Sequence, residues 1–573
     1  IEKMGVKTFF MDMMPHHRFE ISKADELIKT IKWKFASKIL QATEVAAKTD
    51  GCYPVLITSF KCTPDSFVIE YFKEILDAYE KPYLILQLDE HDSRVGYETR
   101  IESAIRAFRN HYERQASQRV KEVPVNNEGR KSNHSWQDHF RSLVHDASGI
   151  LRSHAIDFRH FSKYIQQMEV QENHLSHHIF SGARNLKKKT LLLPSWDDTV
   201  GPLLEAVMLN SGIQARTVDG TNDSIQRSLS FNTGQCLPLN IIVQNAIDYM
   251  ESNRLNPADT ALWLVKSPLS CNLSMFPYFT RTLLNNYGKG MEQAQVYLGD
   301  VIFYDISLHT GINSYLAFMF GGFVRKIGCT IRPYEKEKGA TDRAIEKALN
   351  LLYDTFRYGR SKAQALEKII SDFRSIETER HERPKVAIFG DLFVRDNALM
   401  NQDLIKTIEE NGGEVITTPY SEYIKAIVDP YTKRHFREGR YWEYIKIRFL
   451  KSLIPLVEEK YQKYFQPFNG EEKVISSDEA DDWLSRFGLS IFHRGESLEN
   501  ILKIHKLIRQ HPDLDLFIQT NPSYCCPSLV TEAMSSKIEE LTGVPVVTIE
   551  YDGTAGIKNE DIVPYLKYRK KKR

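Results

Sequence analysis

Short apolar runs alternate with longer stretches of helical periodicity through most of the chain, and this alternation sets the expected fold. Val6 to Met11 is a short apolar run, Ala24 to Ala47 has helical periodicity and Val55 to Thr58 reads as a strand. Ser66 to Ala78 reads as a helix and Tyr83 to Leu88 as a further strand. Short apolar strands linked by amphipathic helices predict a parallel sheet covered on both faces. Between about Arg109 and Lys189 the rhythm dissolves into polar, His-rich sequence, with a loop at Asn126 to Arg130 and helical character near Phe158 to Met168. It resumes at Thr190 to Leu193, with strands near Ala261 to Val265 and Gln295 to Leu298, a long helix over Asp342 to Ser371 and a charged hinge at Glu377 to Arg383. A third unit begins with Lys385 to Phe389 and a helix over Asn401 to Glu410, which Gly412 and Gly413 stop. Val415 to Thr418, Leu516 to Gln519 and Val546 to Ile549 supply its other strands, with a helical insertion over Trp442 to Tyr464.

The expected fold class is α/β: several stacked doubly wound parallel-sheet domains with helical insertions. The expected division is an α/β domain over 1–108, a polar His-rich connector over 109–189, an α/β domain over 190–383, and an α/β domain with the helical insertion over 384–573. A chain of 573 residues fits this, because it predicts roughly three or four packing units.

Composition narrows the function classes. A formal net charge of +1 provides no overall field to draw in nucleic acid or an anionic membrane. The basic end, Tyr568 to Arg573, reads as a solvated tail. No apolar run approaches the ~20 residues that span a bilayer, and no charged-then-apolar leader opens the sequence. The expectation is a cytoplasmic protein with neither a membrane nor a nucleic-acid partner. The sequence opens on Ile1 rather than Met, as a fragment, a processed product or a trimmed chain would, and in a fragment part of the active assembly lies upstream.

Cys52, Cys62, Cys236, Cys271, Cys329, Cys525 and Cys526 are an odd set with no secretion signal, which argues against a disulfide framework. Reduced thiols are buried small hydrophobes, catalytic groups or metal ligands. In open parallel sheets, ligands gather beyond the carboxyl ends of the strands. Cys62 follows the strand ending near Thr58, Cys271 the strand ending near Val265, and Cys525 and Cys526 the strand ending near Gln519. Cys236 stands just before a helix start in Gly234-Gln235-Cys236-Leu237-Pro238. Each has Pro or Gly close by, at turns whose amides lower a thiol pKa and can reach cluster sulfurs. Cysteines on separated loops suit an iron–sulfur site better than a zinc ribbon, whose close CxxC pairs the sequence lacks. Cys52 precedes its strand and reads as core packing, while Cys329 follows the Gly321-Gly322 helix and is open to either reading. Core packing stays open for the others as well.

At these residues the sequence resembles the activase-related proteins of the 2-hydroxyacyl-CoA dehydratase family, the CoA-substrate-specific enzyme activases and double-cubane cluster proteins. The resemblance rests on Gly51-Cys52-Tyr53-Pro54 through Lys61-Cys62-Thr63-Pro64-Asp65, Leu88-Asp89-Glu90-His91 and Asn232-Thr233-Gly234-Gln235-Cys236. It continues in Ser270-Cys271-Asn272-Leu273-Ser274-Met275-Phe276-Pro277, Gly328-Cys329-Thr330-Ile331-Arg332-Pro333-Tyr334-Glu335, Phe389 to Asn397 and Asn521 to Pro527. It implies stacked α/β domains that hold a [4Fe–4S] or double-cubane cluster, fed with low-potential electrons by an ATPase activase in the same longer polypeptide or in a separate chain. By resemblance, Cys62 and the Cys525/Cys526 region match cluster-ligand positions; Cys236 and Cys271 come next, and Cys329 is raised with them. An acyl-CoA-type substrate, electron transfer, anaerobic metabolism and self-association belong to the same implication. The family's further cluster cysteine ahead of Cys62 has only Cys52 to match it, and neither the ATPase's Asp-Gly phosphate loops nor a Walker A loop occurs here.

Other constellations read more simply. His174, His177 and His178 have helical spacing, Trp196-Asp197-Asp198 caps a helix, and Glu550, Asp552, Gly553 and Thr554 follow the last strand towards the Cys525 crevice. No GxSxG elbow supports a serine triad. Three functions follow: a cluster-bearing component of an ATP-driven reductase or dehydratase, a non-catalytic scaffold or electron relay partnering the activase, or a small-molecule binder with structural cysteines. The catalytic residues are unassigned.

Overall fold

The computed structural model describes residues 4–13, 28, 31, 33–58, 64–88, 94–119, 178–182, 185–231, 236–266, 271–437, 439, 441–469, 477–490, 493 and 495–568. Cys62, the connector over 120–177 with its helical stretch Phe158 to Met168, His174, His177 and the tail beyond Tyr568 lie outside the described residues.

The described strands form three sheets, all parallel. The first pairs β1 (Val55–Thr58) with β2 (Leu84–Gln87), and the helices Lys34–Lys48 and Pro64–Ala78 pack on it. The second contains β3 (Ile179–Phe180), β4 (Thr190–Pro194), β5 (Ala215–Val218), β6 (Thr260–Val265) and β7 (Gln295–Gly299), in the order β3-β7-β6-β4-β5. The third contains β8 (Lys385–Gly390), β9 (Glu414–Ile416), β10 (Leu516–Pro522) and β11 (Val546–Tyr551), in the order β11-β10-β8-β9. This is the stacked α/β architecture that the alternation of short apolar and long amphipathic segments dictates.

Burial explains the central strands. All six residues of β6, Thr-Ala-Leu-Trp-Leu-Val, are buried, as a strand covered on both faces requires. The helices Leu237–Ser252 and Phe276–Tyr287 cover one face of the middle sheet. Gly201–Asn210 and Leu308–Ile331 cover the other, where the insertion helix Tyr441–Asn469 joins them through Ile454, Tyr461 and Phe465. The outer face of the third sheet carries Glu496–Gln510 and Ser535–Thr542. A single apolar cluster runs from Phe67 and Phe72 of the first unit through Phe276 and Phe279 to Ile388 and Ile518 of the third.

Several elements depart from the expectation. Val6 to Met11 is not a strand: the segment is irregular, with a short 3-10 turn at Met11–Met13, and Phe9 and Phe10 are exposed. The expected helix over Asp342 to Ser371 is two helices, Ala340–Tyr358 and Lys362–Arg374. Gly359 ends the first in the left-handed region (φ 64°), and Ser361 Oγ accepts from Gln364 N to start the second. Cys329 lies inside the Leu308–Ile331 helix rather than after it. Ile179–Phe180, in the segment read as connector, forms an edge of the middle sheet beside β7. No helix among the described residues is long and apolar enough to cross a membrane.

Candidate functional site

Strand order locates the site. In the middle sheet the chain leaves β4 towards β5 on one side and returns to β6 on the other; in the third sheet it leaves β8 towards β9 and returns to β10. Each reversal opens a crevice beyond the carboxyl ends of two adjacent strands. The middle crevice is bordered by Ser195 to Asp198 and by Lys266, the third by Asp391 and by Pro522 to Cys525. Gly390 is what lets the third close. At φ 128° it lies so near β10 that a Cβ would stand 2.2 Å from the Thr520 carbonyl oxygen.

The two crevices face each other. Arg325, from the Leu308–Ile331 helix, donates to Asp197 through Nη1 (2.5 Å) and Nη2 (2.7 Å), and lies 3.3 Å from Asp396 Oδ1 of the third unit. Asp197 also accepts from Thr199 N (2.7 Å), Thr199 Oγ1 (2.6 Å) and Val200 N (3.2 Å), the capping role its sequence suggests. Asn397 Nδ2 donates to the Ser195 carbonyl at 2.8 Å, and Arg395 pairs with Asp396. Burial alone would raise Asp396, but Arg395 and Arg325 hold it below the usual carboxylate range.

At the other end of the same interface stand the thiols. Cys271 precedes the 3-10 turn Asn272–Met275, and its carbonyl accepts from Ser274 N (3.3 Å) and Ser274 Oγ (3.2 Å). Cys525 is 3% exposed and precedes the short helix Cys526–Glu532; Tyr524, at φ 63°, makes the turn that turns it inward, whereas Cys526 is half-buried. Burial pushes the Cys271 thiol well above its ordinary value, and Glu496, Cys525 and Asp391 add repulsion, so these four groups share one electrostatic neighbourhood. Burial also raises Glu496 well above the carboxylate range, with Asp391 and Glu499 adding to it, and raises Asp391 to about 6. Lys503, one helix face along, is pushed down to about 7 by burial and Arg395.

Polar groups line this end without partners. Gln519 Nε2 donates to the Ser528 carbonyl (2.9 Å) and to Asn521 Oδ1 (3.3 Å). Gln519 Oε1, Asn521 Nδ2, Ser528 Oγ and Asn500 Nδ2 have no hydrogen-bond partner, although none of the four residues is more than 2% exposed. Buried orphan atoms are uncommon in folded proteins and call for an occupant or a role.

The first unit reaches the same region through the Pro64–Ala78 helix. The Pro64–Ala78 helix, which begins two residues after Cys62, packs against the Asn272–Met275 turn. Its Phe67 ring stacks on Phe276 at 6.3 Å and meets Phe279 edge-on at 5.6 Å.

No protein-family model matches the chain, and no curated protein matches it. The site therefore stands on its own geometry.

The remaining cysteines lie elsewhere. Cys236 precedes the Leu237–Ser252 helix and is buried in the apolar cluster with Ile225 and Leu237, near Gly553. Cys329 is 1% exposed, and burial and then Glu409 push its thiol up to about 12. Cys52 is half-buried in the turn before β1, its thiol raised by burial against the pull of Lys81. Asp552 caps Thr554 and pairs with Lys558 at 3.1 Å, and Glu550 is exposed at the sheet edge. His178 lies in the turn leading into β3. Among the described residues, no three His, Cys, Asp or Glu side chains gather closely enough to hold a metal ion by themselves. Sequence reading missed Glu496, Asn500, Lys503, Arg325 and Gln519, which sit in ordinary helix or strand pattern with no local signal.

Proposed function

We propose that the chain is the iron–sulfur-cluster-binding component of an ATP-driven reductase or 2-hydroxyacyl-CoA dehydratase-type system. The observation that carries this reading is that Cys271, half-buried, and Cys525, buried, stand beyond strands of two different sheets at facing switch points and act on each other electrostatically, with the Pro64–Ala78 helix packed against the Asn272–Met275 turn. Cys62, Cys271 and Cys525 would hold the cluster, [4Fe–4S] or double-cubane, with Cys526 beside them; Cys236 and Cys329 are assigned to packing. The mutual repulsion of two thiols and two carboxyls is what a bound cationic centre would reverse. The unpartnered Asn521 and Ser528 groups suit hydrogen bonds to cluster sulfurs or to a substrate oxygen.

When bound, such a cluster supplies low-potential single electrons. This chain's own residues would do the rest. Asn521 Nδ2 and Ser528 Oγ orient the acceptor, Glu496 holds a proton in the buried wall, and the surrounding apolar cluster keeps water out. The electron source is an ATPase activase and the acceptor an acyl-CoA-type thioester, both taken from the family resemblance.

The test is iron and acid-labile sulfide per chain on protein purified without oxygen, with its visible spectrum. About four or eight irons with matching sulfide and broad absorption near 400 nm are expected. Cys271→Ala and Cys525→Ala should each abolish loading, while Cys329→Ala retains it. A colourless protein after reconstitution, or normal iron in both loop variants, ends the reading. ATP-dependent turnover with an activase then separates the enzyme component from the non-catalytic relay.

A further inference from the structure

Two strands away from β10, at the carboxyl end of β9, a second cleft opens between the Leu308–Ile331 and Glu496–Gln510 helices. Its floor is Ile416 and Leu507, and Thr417 and Thr418 line it. Both threonines are 7% exposed, and neither hydroxyl has a hydrogen-bond partner. Lys326 enters from one helix, Lys503 and Lys506 from the other, against one carboxylate, Glu422, which pairs with Lys506 at 2.7 Å. Lys503 also faces Glu496, Glu499 and Asp396 and is pushed down to about 7, which leaves Lys326 as the cation that acts on the cleft's rim. The His511 ring at the rim is pushed down to about 4, by burial first and then by Lys326 and Lys385, with Asp513 and Glu422 opposing.

We propose that this cleft binds a phosphoryl-type oxyanion, as inorganic phosphate or as the phosphate end of a larger molecule. Two buried hydroxyl donors without acceptors, with the Lys326 side chain lining the same cleft, match the acceptor-only oxygens of a phosphate. A metal cation would instead meet three amines. The cleft is shallow, open at its mouth and far too small to enclose a whole cofactor, so the bound part is a small anionic group seated at the mouth. The proposal is independent of the cluster reading, because neither Cys271 nor Cys525 lines the cleft.

Isothermal titration of the full chain with inorganic phosphate, and separately with AMP, tests it. Saturable one-to-one phosphate binding is expected, weakened about tenfold or more in Lys326→Gln and in Thr417→Val and retained in Thr417→Ser. Should Lys326→Gln fail to fold, the threonine pair still decides. AMP binding about tenfold or more tighter than phosphate supports the site as the seat of a larger molecule's phosphate; equal binding supports it as a site for the free ion. No phosphate binding by the wild type up to about 10 mM, or binding unchanged in Lys326→Gln and Thr417→Val, overturns the proposal.

Discussion

The interface between the middle and third units has two ends built from the same kinds of residue and finished in opposite ways. At one end Asp197 and Asp396 are clamped by Arg325, Asp197 accepts from its own turn, and Asn397 reaches across to the Ser195 carbonyl. At the other, the carboxyls of Glu496 and Asp391 stand close to the Cys271 and Cys525 thiols, and Gln519, Asn521, Ser528 and Asn500 keep buried polar atoms without partners. The first end uses buried polarity to fix how two domains meet. The second leaves buried polarity unanswered, which is costly unless something else answers it. The difference is one of charge: the first end also keeps Ser195 Oγ and Arg395 Nη1 without partners, but its carboxylates are held by arginines.

The largest expected effect comes from Gly390→Ala. Its Cβ would collide with the Thr520 carbonyl, so β8 and β10 could not keep their register. A loss of about 4 kcal/mol or more is expected in urea denaturation, and a near-silent substitution would show that the third crevice is not set by this contact. Arg325→Met leaves Asp197 and Asp396 buried without their guanidinium and should cost about 3 kcal/mol. The same titration sharpens the contrast with smaller changes. Asn397→Ala removes a satisfied hydrogen bond and should cost about 2 kcal/mol, whereas Ser528→Ala removes an unsatisfied hydroxyl and should stay within about 1 kcal/mol of wild type. Equal costs for the two would dissolve the distinction between the ends.

The smallest effect concerns pH. His511 has its folded value pushed down to about 4, below the ordinary ~6.5 of the unfolded chain. The unfolded state then binds more protons between those values, so this group makes stability fall as pH drops through that window. His511→Gln should flatten that slope in denaturation curves measured from pH 7 to pH 4. An unchanged slope would place the titration elsewhere.

How much of this was readable in the sequence depends on whether the cause is local. β4, β6 and β8 are continuous apolar runs bounded by turn residues and were legible as such. β5 is Ala-Arg-Thr-Val at a sheet edge, with Arg216 exposed, and an edge strand of that composition looks like loop. Val6 to Met11 has strand composition and pairs with no strand among the described residues, which no local pattern reveals. The Gly359 break was visible in principle, since Gly followed by Ser two residues later is a stop and a cap in tandem. That Cys271 and Cys525 stand beyond strand ends was legible, because strand ends and turns are local features. That the two thiols act on each other, and that Glu496 acts on Cys271, depends on two sheets docking. Cys329 looked equivalent by motif and is separated only by the length of the helix that contains it.

The order of strands in the third sheet also governs when the molecule can be assembled. β10 lies between β8 and β11, yet it follows β9 only after the whole helical insertion has been made. On a ribosome the middle sheet has all its strands long before then, while β8 waits with one edge uncovered until β10 emerges. Pairing so distant in sequence is slow to form. Cys525, three residues beyond β10, therefore comes to the neighbourhood of Cys271 only after every strand of the middle sheet has been made, and a ligand shared by the two thiols would be delivered after the middle unit is complete.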